Sequence, residues 1–312
     1  MAYNNLTSRT DSAALIPEEH STEIWQLATA QSAALQRFRT VRMGRKQQRL
    51  PVLSVLPVAY WVNGDTGLKQ TSEQNWANKY LEAEELAVII PIPEAVLDDS
   101  EFDMWGEIKP RVAEAIGIAL DSAVFIGASK PASWPADLVT AATAAGNNYA
   151  RGTNAASAGG VGEDINKLMQ KVEDDGFEVN GFAARRSMRG TLRSARSTDG
   201  QKLLDVSTME IEGAPVQYTP NAVWPTAGTG AAEMIAGDWT QGIIGVRQDI
   251  TWKFLDQAVI TDNTGAIVYN LPQQDMVAMR AVFRVGFQVP NPVSIDRPVE
   301  AQRYPFAVLT QP

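Results

Sequence analysis

Residues 86–127 read LAVIIPIPEAVLDDSEFDMWGEIKPRVAEAIGIALDSAVFIG, a short apolar strand running into a long amphipathic helix. Val88, Ile90 and Ile92 fall on one face of the strand at period 2. Ala87, Ile89 and Pro91 fall on the other, so both faces are expected to be buried. Phe102, Trp105, Val112, Ile116, Leu120 and Val124 then recur at helical spacing, apart from one gap of seven. Asp98, Asp99 and Ser100 offer an N-cap and put negative charge at the positive end of the helix dipole. Pro110 lacks a backbone donor, which predicts a kink or restart over 106–110. Gly127 is the expected stop. A continuous helix over 101–126 would span about 39 Å, long enough for other elements to lean on.

The chain of 312 residues has room for one large or two modest domains, and 45% hydrophobic residues supply a sizeable core. A net charge of −9 and a pI near 4.8 argue against one broad basic face that coats nucleic acid. They leave room for a local basic patch. The chain has no cysteine, which excludes disulfides, thiolate metal sites and cysteine nucleophiles. Its single histidine, His20, excludes zinc sites built on several imidazoles. The apolar run 86–92 is too short for a membrane span. The opening MAYNNLTSRTDSAALIPEE lacks the basic-then-apolar order of a signal peptide.

Chemistry is sparsely provided for. A serine nucleophile would have to rely on His20, and the pairs Asp98/Asp99, Glu84/Glu85 and Asp174/Asp175 point apart on a helix. Gly159-Gly160-Val161-Gly162 lacks the Gly-Lys-Ser/Thr ending of a phosphate loop. Asp262-Asn263-Thr264-Gly265 lacks the alternating carboxylates of a calcium loop. No catalytic residue, cofactor or metal is expected. A soluble α/β enzyme working without metal or thiol is the reading from another class.

Residues 1–18 are polar, without a sustained period. A helix is expected over 20–43 from Ile24, Leu27, Ala28, Leu35, Phe38 and Val41. Arg37, Arg39, Arg42, Arg45, Lys46 and Arg49 then form a basic run with no acid between them. Three readings stay open for it: a solvated helix end, an arm that binds a neighbouring subunit's carboxylates, and contact with enclosed DNA. Residues 50–62 read as a strand, and Asn63-Gly64 is a hairpin signal because both residues tolerate positive φ. The return over 68–80 is polar, with Trp76 standing alone. Such a hairpin has little core of its own, and its edges invite pairing with another chain.

Residues 128–162 read as a connector or long loop, with Ser133-Trp134-Pro135 tucking an aromatic against the core. A helix over 163–175, ended by Gly176, buries Ile165, Leu168, Met169 and Val172. A strand follows over 177–184. Arg185, Arg189 and Arg193 sit at four-residue spacing on one expected helical face, which is either solvated or paired with acids of an adjacent subunit. Two strands around the turn at 262–265 and a long strand over 275–289 complete the reading.

The order of these pieces resembles the major capsid proteins of tailed bacteriophages. The resemblance rests on Ala59-Tyr60-Trp61-Val62, the hairpin, the strand 86–92, EAVLDDS and the long helix. It continues in Gly176-Phe177-Glu178-Val179, the Arg-rich segment, Asp199-Gly200, Leu203-Leu204 and Gly213-Ala214-Pro215-Val216, and ends in Ala236-Gly237-Asp238-Trp239 and 242–247.

It implies an α+β phage major-capsid fold. Its parts would be an N-terminal arm (1–49), an E-loop β-hairpin (50–85), a P domain with the long spine helix (86–135 and 246–288) and an A domain with a central sheet flanked by helices (136–245). Residues 289–312 are expected to associate with the A domain. The implied function is a structural shell of hexamers and pentamers, an icosahedral head around double-stranded DNA bound without sequence preference. The implied partners are other copies of the chain, a portal, and separate scaffolding and decoration proteins, with no membrane. Localisation would be the virion, after synthesis in the host bacterial cytoplasm. With its hairpin near residue 50, the chain leaves no room for a long N-terminal scaffolding segment. An encapsulin-type nanocompartment shell, of the same lineage, is the alternative.

Candidate intersubunit contacts are Arg37, Arg39, Arg42, Arg45, Lys46, Arg49, Lys69, Trp76, Arg185, Arg189 and Arg193. Some capsids of this family cross-link a hairpin lysine to an asparagine with help from a buried carboxylate. Lys69 matches the lysine by location only. Asp275 falls where the asparagine is expected, and Val282 and Phe283 fall where the glutamate is expected, so no autocatalytic cross-link is expected.

Overall fold

The structure, a computed structural model, describes residues 32–59, 61–62, 69, 71–100, 103–195, 209–225 and 228–312. In chain order its elements begin with α1 (Ala33–Arg37), β1 (Arg39–Arg42), β2 (Gln47–Val55), β3 (Asn75–Pro93), α2 (Glu94–Asp98) and α3 (Met104–Ile126). Next come α4 (Leu138–Ala144), β4 (Asn148–Ala150), α5 (Gly160–Asp174), β5 (Gly181–Arg185), α6 (Met188–Ser194), β6 (Glu210–Ile211) and β7 (Ala214–Thr219). The chain closes with β8 (Ala232–Gly237), β9 (Ile243–Leu255), β10 (Val259–Thr261), β11 (Ile267–Asn270), β12 (Met276–Gln288) and β13 (Phe306–Thr310).

Two larger sheets carry the fold. A five-stranded sheet has the order β1-β9-β12-β3-β2, antiparallel except for the β1–β9 pair. A six-stranded mixed sheet has the order β4-β13-β8-β5-β7-β6. The small β10–β11 hairpin stands apart. Its turn is fixed by Asp262, whose Oδ1 accepts from the Thr264 N–H, the Thr264 hydroxyl and the Ala266 N–H. These bonds to the charged form lower the Asp262 pKa.

Strand periodicity sorts the six-stranded sheet between two cores. From β8 and β13, Ile235, Phe306 and Val308 face the core that also holds α3. Their alternates Met234, Ala236, Ala307 and Leu309 face a second core under α5 and α6. In α5, Ile165, Leu168 and Val172 are buried as expected, with Met169 packed at the margin, and the helix stops before Gly176 at φ +83. The larger core joins the two sheets through an aromatic cluster. Phe38 lies 5.1 Å from Trp239, 5.8 Å from Phe287 and 5.9 Å from Phe306.

The opening stretch folds as a strand and a long helix, with three corrections. The strand is a single 19-residue element running back to Asn75, about 60 Å of chain. Only its Leu86–Val88–Ile90 face packs against the α3 core, while Ala87 and Ile89 are exposed. The helix N-cap is Asp103, which accepts from the Gly106 N–H at 3.0 Å; Asp98 instead closes the short α2. No restart occurs at Pro110, because Ile108, Val112, Ile116, Leu120 and Val124 keep one apolar stripe continuous past it. Phe102 lies outside the described residues. Gly127 ends α3 with φ +70, a conformation that favours glycine.

The expected helix over 20–43 is also corrected. Residues 20–31, and His20 with them, lie outside the described residues. The described part is a five-residue helix, then β1 laid parallel on β9 with Arg39 beside Ile243 and Arg42 beside Val246. Two glycines of the following segment admit this strand. A Cβ on Gly242 would sit 2.0 Å from the Phe38 ring, and one on Gly245 would meet Met43 at 2.4 Å. The region expected as a loop over 128–162 contains α4, β4 and the start of α5. Within it Trp134 is buried as expected, and its indole N–H donates to the Glu82 carbonyl at 3.1 Å.

Candidate functional site

The buried acids are structural. Asp121, on α3, accepts from the Ser32 hydroxyl at 2.6 Å and from the Ala33 and Ala34 N–H groups at 2.8 and 3.0 Å. One carboxylate thus fastens the start of α1 to the long helix across 89 residues of sequence. Burial raises its pKa, and the three hydrogen bonds oppose the rise. Asp175 accepts from the Asn147 amide at 2.7 Å and from the Tyr304 N–H at 2.8 Å. Asp164 accepts from the Gly152 and Asn154 N–H groups at 2.7 and 3.1 Å. Burial raises the pKa of Tyr304 as well. Among the described residues no cluster of three His, Cys, Asp or Glu side chains is placed to hold a metal. Among them no helix is long and apolar enough to cross a membrane.

The surface is more informative. Strands β2 and β3 form the described part of the hairpin, with Gln47 opposite Glu82 and Leu53 opposite Trp76. The turn at Asn63-Gly64 lies outside the described residues. Towards that turn the hairpin covers almost nothing: Trp61 is 98% exposed, Val58 71% and Trp76 64%. Lys69 is exposed too. The large apolar side chains of Trp61, Val58 and Trp76 stand in water at the end of the hairpin.

The basic run divides between the end of α1, β1, the bend after it and β2. Arg42 pairs with Asp249 at 3.4 Å and Lys46 with Glu84 at 3.5 Å, both on the surface. Such pairs contribute little to stability. Arg39, Arg45 and Arg49 are exposed. Arg37 turns back into its own chain, donating from Nε to Gln217 Oε1 and from Nη2 to the Pro215 carbonyl, each at 3.1 Å.

The second arginine group departs from one helical face. Arg185 ends strand β5, so only Arg189 and Arg193 share α6. The Arg189 guanidinium lies 5.7 Å from the centre of the Tyr218 ring. The folding of α1 against β7 then brings Arg37 and Arg189 to one open groove, together with Arg186. Arg186 carried no sequence signal, because its role depends on a contact between segments nearly 150 residues apart. Asp121 was missed for the same reason. Asp275, the position matched to a cross-linking asparagine, precedes β12 at φ +46, and its carbonyl accepts from the Glu94 N–H. Val282 and Phe283 are buried within β12.

This architecture, a long helix against an antiparallel sheet, a second helix-flanked mixed sheet and a projecting hairpin, is that of phage capsid subunits. A solved chain from Microbacterium phage Oxtober96 matches it with a TM-score of 0.86 at 39% identity, covering 99% of this chain and 100% of that one. One from Mycobacterium phage Bobi matches with a TM-score of 0.85 at 33% identity, covering 99% of each. The major capsid protein of Staphylococcus phage 80alpha is 26% identical over 292 residues, 91% of this chain and 85% of that protein. The model of the phage capsid family matches residues 12–298. The chain belongs to the phage capsid family, a family of structural proteins rather than enzymes, and its place is the virion.

Proposed function

We propose that the chain is a major capsid protein that assembles as hexamers and pentamers into an icosahedral head around double-stranded DNA. The observation that carries this reading is the hairpin: an arm with Trp61, Val58 and Trp76 in water is completed by a neighbouring copy. In this reading residues 1–49 are an arm and 50–85 the lapping hairpin. Residues 86–135 and 246–288 form the peripheral domain, and 136–245 with 289–312 the domain at the symmetry axes. Arg37, Arg39, Arg42, Arg45, Lys46, Arg49, Lys69, Trp76, Arg185, Arg189 and Arg193 are contacts between copies.

The acidic balance suits packaging, since an inner wall that repels phosphate lets DNA slide. A portal and separate scaffolding and decoration proteins are the further partners, and synthesis takes place in the host bacterial cytoplasm. No enzymatic activity and no autocatalytic cross-link belong to this reading, because Asp275, Val282 and Phe283 supply neither the amide nor the base. Purified chain, alone and with its genomic neighbours, examined by negative-stain microscopy and sedimentation velocity, should give closed shells or discrete rings. Boiled in detergent, those shells should run as a single monomer band. A chain that stays monomeric in every combination contradicts assembly, and a ladder of covalent oligomers contradicts the absence of cross-linking.

A further inference from the structure

Arg37, Arg186 and Arg189 line an open groove of about 700 Å³, together with Met209, Gln217 and Tyr218. None of the three, nor the adjacent Arg185, pairs with a carboxylate among the described residues. The acceptors that Arg37 does find, Gln217 and Pro215, are neutral. Burial lowers the Arg37 pKa with no acid to offset it. The Arg189 Nε finds no acceptor among the described residues, so no hydrogen bond from that atom within them holds its guanidinium. Three guanidinium groups facing one groove with no carboxylate partner among the described residues form a local excess of positive charge in a chain of net charge −9.

Resting on the assembly reading above, we propose that this groove receives a carboxylate side chain from a second copy of the chain, with Arg186 and Arg189 as the anchoring cations. Carboxylate is the acceptor that a guanidinium fork fits best, and every neighbouring copy carries a surplus of it. The apolar surface of Met209 and the Tyr218 ring suits a peptide side chain beside it. Phosphate of a duplex fits less well. DNA presents a charge about every 1.7 Å of its axis, a continuous row that a single groove lined by three arginines does not match.

The test is arginine modification by a dicarbonyl reagent, read residue by residue by mass spectrometry, on wild-type chain before assembly and in shells free of nucleic acid. Arg186 and Arg189 should react about tenfold more slowly in the empty shells. In parallel, the double variant Arg186→Gln/Arg189→Gln should keep the thermal midpoint of the unassembled chain and lose about tenfold in shell yield. The double variant Arg186→Lys/Arg189→Lys should recover part of that yield. Equal reactivity in both states, or a glutamine variant that assembles as well as wild type, overturns the proposal. Protection found only in DNA-filled particles assigns the groove to phosphate and overturns it as well. A wild-type chain that forms no shells overturns the assembly reading itself, and this proposal with it.

Discussion

The six-stranded sheet and the β2–β3 hairpin are both made of strands, yet they are held in opposite ways. Every residue of β8 is buried, and β5 and β13 are buried along all but their last residue. Helices α5 and α6 cover one face and the α3 core covers the other. The hairpin is the edge of the five-stranded sheet. It is tied at its base by the cluster of Met43, Leu81 and Ala83, the buried Val52, the Lys79–Glu300 pair and bonds from Gln288 and Val293 to the Tyr80 and Leu53 carbonyls. Towards its tip it has backbone pairing alone among the described residues. Backbone pairing alone leaves two strands marginal in water. One region therefore specifies itself, and the other is specified by what it meets. A shell subunit needs both: a rigid body that keeps its shape, and an arm that commits only on assembly.

The largest expected effect lies in the first region. Phe306→Ala removes a fully buried ring from the aromatic cluster and should cost about 3–5 kcal/mol in denaturant unfolding of the unassembled chain. A loss below about 1 kcal/mol would show that the joint between the two sheets is not where the stability resides.

Asp121→Asn comes next. The amide keeps one acceptor oxygen and turns its NH2 either toward the Ala33 N–H or toward the Ser32 hydroxyl and the Ala34 N–H, at a cost of about 1–3 kcal/mol. The pH dependence has a definite sign. Burial raises the Asp121 pKa in the folded chain, so the folded state holds this proton more tightly than the unfolded state does. The resulting contribution is fully present below the ordinary carboxylate value of about 3.9 and is lost as pH rises through the folded pKa. The stability gap between wild type and Asp121→Asn should narrow as pH rises from about 4. A gap that widens over that range would contradict the assignment.

Trp76→Ser probes the second region. In the unassembled chain it should change stability by less than about 0.5 kcal/mol, since the ring is already in water. The yield of shells should fall all the same. A large loss of monomer stability would show that the hairpin folds against its own chain.

The smallest effect belongs to Lys167→Ala on α5. Its pairing with Glu163 at 3.8 Å is half-exposed, and about 0.3–0.5 kcal/mol, fading with added salt, is expected. A larger cost would mean that surface charge, and not packing, distinguishes the two regions.

What could be read from the sequence follows the same division. Local period and glycine stops are legible, the N-cap of α3 is not: the α3 stripe, Gly127, Gly176, the turn at 262–265 and the strand over 276–288 all depend on neighbours in the chain. Features fixed by distant contacts were not. Phe38 and Val41 carry a helical spacing, but Gly242 and Gly245 open a place for a strand there, and tertiary pairing overrides the period. Ile89 looked buried because its neighbours are apolar, yet nothing among the described residues covers it enough to bury it. Asp121 has no motif because its partners Ser32, Ala33 and Ala34 are far away in sequence, and Arg186 comes to the same groove as Arg37 only through the fold. Assembly surfaces are the extreme case, since half of each contact belongs to another molecule.

The most direct measurement is backbone hydrogen exchange on the unassembled chain and on shells. The account predicts slow exchange over 232–237 and 306–310 in both states, and fast exchange over 47–55 and 75–80 that becomes slow only in the shell. Slow exchange of the hairpin in the unassembled chain, or no gain of protection on assembly, would contradict it.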